Sequence, residues 1–120
     1  SEGHDQHVVV LQEKDGDRKF PIIIGLYEVY AIHRTLNDRP PPRPMTHELL
    51  GDILRQLGAT VQRVIINDLR HGTFFGRLIL SRNGEEYDID SRPSDAIAIA
   101  VQGDVPIFVE EHVLVEASQS

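Results

Sequence analysis

The sequence predicts one compact α+β domain with a mostly antiparallel or mixed sheet and three to four helices. The chain has 120 residues, which suits a single domain. Two segments carry apolar residues at helical spacing, and strand-like segments are joined by Asp-Gly and Asn-Gly pairs, which are strong hairpin signals. Hairpins favour antiparallel pairing.

The chain opens with a predicted hairpin. Residues 7–13 and 19–24 have the composition of strands, and Asp15-Gly16 between them is a turn signal. Pro21 has no N–H, so the second strand is expected to pair on one side only. Residues 8–117 are expected to form the domain, and residues 1–7 a disordered or artificial start without function.

A helix and a stiff connection are predicted next. Residues 26–36 carry an apolar stripe at spacings of three and four, formed by Leu26, Val29, Ile32 and Leu36. Four prolines in residues 39–44 exclude a helix or a central strand there, so this segment is expected to be a surface connection.

The second helix, residues 46–57, is the clearest element of the sequence. Thr46 is a preferred N-cap residue, Glu48 suits the positive end of a helix, and Gly58 suits the left-handed residue that follows its end. Its apolar residues are expected to be buried, namely Leu49, Leu50, Ile53, Leu54 and Leu57.

Three consecutive strands are predicted after this helix. They are residues 60–70, 73–82 and 85–90, joined by turns at His71-Gly72 and Asn83-Gly84. In the last strand Tyr87 and Ile89 are expected on one face of the sheet, and the acidic residues on the other.

The sequence of the last segment, residues 92–117, predicts a helix, a short strand and a short helix. The third helix begins within residues 92–95, with Pro93 in its first turn and Ser91 or Ser94 as its cap. Its body, residues 96–101, is apolar on every side and is expected to be buried between layers. The strand and the last helix are expected at residues 106–110 and 111–117.

Composition limits the classes of function. The net charge of −7, from 12 basic and 19 acidic residues, argues against a module that binds nucleic acid by charge alone. The absence of Cys excludes disulfides, thiolate metal sites and a cysteine nucleophile. The sequence shows neither a secretory leader nor an apolar run long enough for a bilayer, so a cytoplasmic protein is expected.

The segment from Asp88 to Asp95 is the strongest candidate for chemistry. It places Asp88, Asp90, Arg92 and Asp95 at a strand end, a turn and a helix start. Carboxylates grouped in this way bind Mg²⁺ or Mn²⁺, and an arginine and a helix start beside them favour a phosphate. The same residues have a structural interpretation, in which Asp95 caps its own helix and Arg92 pairs with Asp90 to hold the turn.

Other residues extend or compete with this candidate. Asp68 ends a neighbouring strand and joins the metal ligands if that strand end lies on the same rim of the sheet. Glu28 and His47 each open a helix, where solvent exposure and first-turn electrostatics are the simpler interpretation. Phe74 and Phe75 offer a stacking surface for a base, although at least one of two adjacent strand residues is expected in the core.

The strongest catalytic motifs are absent from the sequence. There is no phosphate-binding glycine loop, dinucleotide fingerprint, His-Glu-x-x-His pair or nucleophile elbow. His4 and His7 have a possible ligand spacing, but a firm zinc site needs three or four ordered ligands, so none is predicted there.

Five segments, taken in order, resemble the signature segments of the bifunctional nuclease (BFN) domain family. They are residues 20–25, 43–50, 68–75, 90–98 and 106–109. The Arg-Pro-Ser-Asp-Ala run after an acidic strand is the most specific of them. The resemblance covers residues 8–117 and implies a compact α+β domain, DNase and RNase activity, and self-association.

Two functions are therefore expected as alternatives. The first is a divalent-metal-dependent nuclease acting on DNA or RNA, with His47, Asp90, Arg92 and Asp95 as catalytic residues. In it Asp68, Asp90 and Asp95 bind Mg²⁺ or Mn²⁺, Arg92 steadies the phosphate, and His47 serves as acid or base. The second is a non-catalytic oligomeric or regulatory module. A homodimer or higher homo-oligomer is expected for either.

Overall fold

Ten elements form one α+β domain in the computed structural model, which describes residues 6–119. In chain order they are β1 (His7–Gln12), β2 (Lys19–Ile24), α1 (Leu26–Leu36), α2 (Thr46–Gln56), β3 (Thr60–Arg70), β4 (Thr73–Arg82), β5 (Glu85–Ser91), α3 (Pro93–Gly103), β6 (Ile107–Val109) and α4 (Glu111–Ala117). The predicted class, order and type of element are confirmed, with some ends displaced by a residue or two. The expectations for His4 and the rest of residues 1–5 lie outside the described part of the chain.

The strands form two sheets. β1 and β2 pair antiparallel, so β2, which contains Pro21, pairs with β1 alone, as expected. The second sheet is mixed, with the order β5-β4-β3-β6 and with β6 parallel to β3. Its two tight turns have left-handed residues at both central positions, with φ values of 51° and 80° at His71-Gly72 and 53° and 80° at Asn83-Gly84. Such turns match the twist of the strands they join.

Helix α3 fills the centre of the domain, as its apolar sequence predicts. Ala96, Ile97 and Ala100 are almost fully buried. The short alanine side chains allow α3 to lie close to β3, where Val64 and Ile66 share a core cluster with it. Burial of side chains the size of Val or Ile contributes about 1.5–3 kcal/mol each, so this contact stabilises the central sheet and helix as a unit.

The two adjacent phenylalanines of β4 have different environments. Phe74 stacks on Phe20 in the core, with the ring centroids 5.3 Å apart. Phe75 is covered by the Arg70 guanidinium, which lies 4.8 Å from the centroid of its ring. The expectation that at least one of the pair belongs to the core is confirmed.

The apolar stripe predicted for α1 is only partly buried. Ile32 lies in the core together with Ala31, whereas Leu26 and Leu36 at the two ends of the helix are exposed. Those two leucines stay exposed because α1 packs on α3 through its middle turns, with the short Ala31 side chain at the contact. No helix within residues 6–119 combines the length and apolar character that a bilayer crossing requires.

The burial predicted for α2 is wrong, although the helix itself is confirmed. Four of its apolar side chains are between 42% and 54% exposed, and Leu54 is half-buried; the four are Leu49, Leu50, Ile53 and Leu57. We refer to these four as the α2 apolar face. In the isolated chain this face points to solvent.

Polar contacts account for the rotation of α2. Arg34 donates to both carboxylate oxygens of Glu48 at 2.9 and 3.0 Å, and Gln102 Nε2 donates to the His47 carbonyl at 2.8 Å. Gly51 permits this approach, since a Cβ at that position would lie 2.6 Å from Gln102 Nε2. These bonds hold the polar side of α2 against α1 and α3.

The ends of α2 differ slightly from the prediction. Met45 is the N-cap and Thr46 the first helical residue, because Glu48 Oε1 reaches back to accept the Met45 N–H at 3.1 Å. Gly58 follows the helix with a φ of 74°, which confirms its left-handed role.

Candidate active site

Three helix starts meet at one point of the molecule. Glu28 is the third residue of α1, His47 the second of α2 and Asp95 the third of α3. One ligand atom of each lies within 4.8 Å of the others. A helix start carries a partial positive charge of about half an elementary unit, so three of them together favour the two carboxylates. We refer to these three residues as the Glu-His-Asp cluster.

Glu28 is the most buried carboxylate of the cluster, with 4% of the residue exposed. Its Oε1 accepts the Gly25 N–H at 2.9 Å, and Arg92 Nη2 lies 3.8 Å from the same oxygen. A Cβ at position 25 would lie 2.7 Å from Oε1, so the carboxylate needs glycine there. These contacts offset the cost of burying a charge, which is several kcal/mol when the charge is unpaired.

His47 is 5% exposed and faces Asp95. Its Nε2 lies 2.9 Å from Asp95 Oδ1. An ionised carboxylate only accepts hydrogen bonds, so the imidazole nitrogen is the donor in this pair. The bond holds both side chains in place and joins α2 to α3.

Arg92 forms the open side of the cluster. Its Nε donates to Asp95 Oδ2 at 2.9 Å, its Nη2 lies 2.8 Å from the same oxygen, and its side chain is largely exposed. The residue is also the N-cap of α3, and no side chain caps that helix, so the expected Ser91 or Ser94 cap is wrong. Asp95 therefore bonds to His47 and Arg92 rather than capping its own helix.

Asp90 lies away from the cluster. It pairs across the sheet with Arg77, whose Nη1 donates to its carboxylate at 3.2 Å. Its neighbour Ser91 pairs with Gly76, which packs against Pro93 at the start of α3. Because successive residues of a strand face opposite sides, Asp90 points to the sheet face that α3 does not cover. The expected Arg92–Asp90 lock is replaced by the Arg92–Asp95 pair.

Asp68 belongs to a different ion pair at the end of β3. It accepts Arg70 Nε at 2.6 Å and the Leu69 N–H at 2.9 Å, and His112 Nε2 lies 3.6 Å away. The bonds from Arg70 and Leu69 hold the pKa of Asp68 below its usual value. Within residues 6–119 the structure brings Asp95 together with Glu28 and His47, and not with Asp68 or Asp90.

The sequence places Glu28 and His47 at helix starts and favours solvent exposure for both. That expected exposure is wrong, because both residues are buried. The signal that identifies Glu28 is its spacing from Gly25. A glutamate three residues after an N-cap reaches back to the cap N–H, and Glu48 repeats the pattern with Met45. In α1 this reach also turns the carboxylate toward α3.

The donor set of the cluster suits a divalent cation. Carboxylate oxygens are typical ligands of Mg²⁺ and Mn²⁺, and the imidazole nitrogen favours Mn²⁺ over Mg²⁺, which prefers oxygen. Two carboxylates and one guanidinium leave a charge of −1, which a divalent cation would convert to +1. That charge would attract a phosphate to the exposed side, where Arg92 lies.

Comparisons with known proteins find a family model and relatives that match most of this chain. The family model described as the bifunctional nuclease domain matches residues 9–120. An uncharacterized protein of Mycobacterium tuberculosis is 45% identical over 113 residues, which cover 94% of this chain and 67% of that protein.

Plant relatives carry the family's name. Bifunctional nuclease 1 of Oryza sativa subsp. indica is 32% identical over 111 residues, covering 89% of this chain and 34% of the plant protein. Bifunctional nuclease 2 of Arabidopsis thaliana is 32% identical over 108 residues, covering 87% of this chain and 33% of that protein. The chain therefore spans about a third of the length of these plant relatives.

Proposed function

We propose that this chain, which belongs to the bifunctional nuclease domain family, hydrolyses phosphodiester bonds of DNA or RNA at the Glu-His-Asp cluster and Arg92. The observation that carries the proposal is the convergence of three ligand atoms within 4.8 Å beside an exposed guanidinium. Relatives named as nucleases support the reaction class, and the cluster supplies the residue types that this chemistry needs.

The proposed cation is Mn²⁺ or Mg²⁺, held by Glu28, His47 and Asp95. When bound, it would supply a Lewis acid for the phosphate and an activated water for attack on phosphorus. Asp68 and Asp90 are left out of this ligand set because, within residues 6–119, neither carboxylate joins the cluster; they lie beside Arg70 and Arg77 instead.

Arg92 is the proposed phosphate ligand. Nε and Nη2 are engaged by Asp95, and within residues 6–119 Nη1 has no hydrogen-bond partner, so it is available to a phosphate oxygen. A guanidinium that is already held by a carboxylate presents its remaining donors in a defined direction.

His47 is assigned to the cation site, where an unprotonated ring nitrogen would bind the cation; without a cation, the bond from its Nε2 positions Asp95. Its burial leaves no room for direct contact with a bulky polymer, so we do not assign it the transfer of a proton to substrate. This replaces the acid or base role that its residue type alone suggests.

The experiment that tests the proposal is hydrolysis of a fluorescent oligonucleotide by the purified chain. Cleavage that requires Mn²⁺ or Mg²⁺ and stops with EDTA is the expected result. Asp95→Asn protein prepared in parallel controls for contaminating nucleases. Absence of cleavage in the parent protein, or equal cleavage by the variant, would overturn the proposal.

A second candidate function is a non-catalytic oligomeric or regulatory module. The α2 apolar face favours it, because exposed apolar stripes of this kind mark interaction sites. We propose that this face contacts a second copy of the chain in a homodimer or higher homo-oligomer. The cytoplasmic location that we expect from the sequence remains a prediction.

A further inference from the structure

We propose that the site selects single-stranded nucleic acid, with an unpaired base stacked on Tyr27 and an adjoining phosphate at Arg92. This inference rests on the proposed function and names the substrate class of the same site. Two independent observations carry it. Exposed tyrosines lie on α1, the helix that carries Glu28, and most arginines of the surface are neutralised within the chain.

Tyr27 and Tyr30 form an aromatic row on α1. They are 73% and 53% exposed, and their spacing of three residues makes them neighbours on one flank of the helix. Arg34 continues this row one turn further, and its guanidinium binds Glu48, the residue after His47. The row therefore lies on the flank of α1 that faces the start of α2, from which His47 enters the cluster.

The first of these tyrosines is adjacent to the cluster itself. Tyr27 immediately precedes Glu28, and Arg92 Nη2 lies 3.8 Å from Glu28 Oε1. The guanidinium thus lies beside the carboxylate of Glu28, and the exposed ring belongs to the preceding residue of the same helix. Aromatic rings bind bases by stacking whatever the sequence, and this requires a base whose face is free. In a duplex both faces of each base are covered by neighbouring pairs, so a single strand is favoured.

Ion pairs within the chain neutralise most of the arginines. Apart from Arg92, whose partner Asp95 would be neutralised by the proposed cation, six of the ten arginines pair with carboxylates; they are Arg18, Arg34, Arg55, Arg63, Arg70 and Arg77. If such a guanidinium turned toward a phosphate, its carboxylate would remain beside it, so the pair adds little attraction. Duplex binding depends on many unneutralised cations along the backbone.

The three remaining arginines lie on two separate segments of the chain. Within residues 6–119, Arg39, Arg43 and Arg82 make no ion pair; two belong to the connection at residues 39–44, and Arg82 ends β4. With a net charge of −7, the chain offers Arg92 as the phosphate contact and Tyr27 as the base contact. Base stacking is therefore the main source of affinity, and few phosphates are bound.

Fluorescence anisotropy tests whether the site selects single strands and whether Tyr27 is responsible. The probes are a labelled phosphorothioate oligothymidylate of about eight nucleotides, which resists cleavage, and a phosphorothioate duplex of about twice that length. Binding is measured with Mn²⁺ over a range of salt concentrations. The variants are Tyr27→Ala and Tyr27→Phe, and Tyr87→Ala is the matched control because Tyr87 is also partly exposed but lies on β5.

The expected results follow from stacking. Tyr27→Ala weakens binding of the single strand about tenfold or more, whereas Tyr27→Phe and Tyr87→Ala bind within about twofold of the parent. The single strand binds more tightly than the duplex, with a log–log salt slope of about −1. Any of three results would overturn the inference: equal binding of both probes, a salt slope steeper than about −4, or a Tyr27→Ala variant that binds the single strand as tightly as the parent.

Failure of the inference and failure of the proposed function give different results. Cleavage of duplex that does not depend on Tyr27 would leave the nuclease function standing and remove the single-strand selection. Selective binding of the single strand without cleavage of an unmodified strand would keep the selection and remove the catalytic function. Binding of neither probe would remove the inference.

Discussion

His47 Nε2 lies 2.9 Å from Asp95 Oδ1, and this bond joins the first turns of α2 and α3 across 48 residues of sequence. Arg92 holds the other oxygen of the same carboxylate. Asp95 is therefore the one residue of the cluster that contacts both the buried imidazole and the exposed guanidinium, and the cluster is most sensitive to its charge.

Asp95→Asn is expected to reduce cation-dependent cleavage by at least about 10–100-fold, since even groups that only support a metal ligand have effects of that size. The amide oxygen still accepts a bond from His47, so the free energy of unfolding should fall by no more than about 1 kcal/mol. Cleavage rates and thermal denaturation measure the two effects. A variant as active as the parent would exclude this cluster as the active site.

Arg92→Lys is expected to raise KM about tenfold with little change in kcat, because charge is kept while the fork that contacts both Asp95 and phosphate is lost. Steady-state kinetics on a short oligonucleotide provide the measurement. Arg63→Lys is the control, since Arg63 pairs with Glu86 on β5. Equal KM values for the two variants would contradict the phosphate role.

Gly25→Ala is expected to weaken Mn²⁺ binding about tenfold without altering any ligand. A Cβ at this position would lie 2.7 Å from Glu28 Oε1 and 3.2 Å from Oε2, so the carboxylate must move. Gly103→Ala is the control, because its Cβ would meet Val105 at 3.7 Å, an ordinary contact. Calorimetric titration with Mn²⁺ compares them, and matching affinities would mean that Glu28 is not a ligand.

The double substitution Leu50→Asp and Ile53→Asp is expected to convert an oligomer to monomer. Both side chains are exposed in the isolated chain, so surface changes there should alter monomer stability by no more than about 0.5 kcal/mol each. Light scattering gives the mass, and Val115→Asp, on α4, is the matched control. A monomeric parent at micromolar concentration would contradict the proposed assembly.

Acid is expected to weaken the contact between α1 and α2. Burial raises the pKa of Glu48, but the bonds and charge of Arg34, together with bonds from the backbone N–H groups of Glu48 and Met45, outweigh it and hold the pKa below the ordinary value of 4.5. A lowered pKa in the folded state means that the stabilisation is present above 4.5 and is lost as the pH falls through the lower, folded value. Glu48→Gln should therefore be less stable than the parent at neutral pH.

The difference between Glu48→Gln and the parent should narrow below pH 4.5. Denaturant unfolding across this range measures it, with Glu116→Gln, an exposed residue of α4, as the control. If the difference in the free energy of unfolding stays constant down to strongly acidic pH, ionisation of Glu48 does not contribute to stability.

Local sequence determined the elements of this fold. Asn83-Gly84 and His71-Gly72 predict their turns because both need left-handed dihedrals, and Gly58 predicts the end of α2 for the same reason. The apolar body of α3 predicts its central place in the core. Residue types also identified His47, Arg92 and Asp95 as candidates, since each signal acts within a few positions of the chain.

Only the tertiary structure decided which of these candidates meet. Glu28 joins His47 and Asp95 because three helices, far apart in sequence, pack with their starts together, and no local pattern specifies that arrangement. Alternation along β5 turned Asp90 to the opposite face, although it lies only five residues before Asp95. The α2 apolar face points outward because long-range polar bonds, rather than the helix's own apolar pattern, determine its rotation.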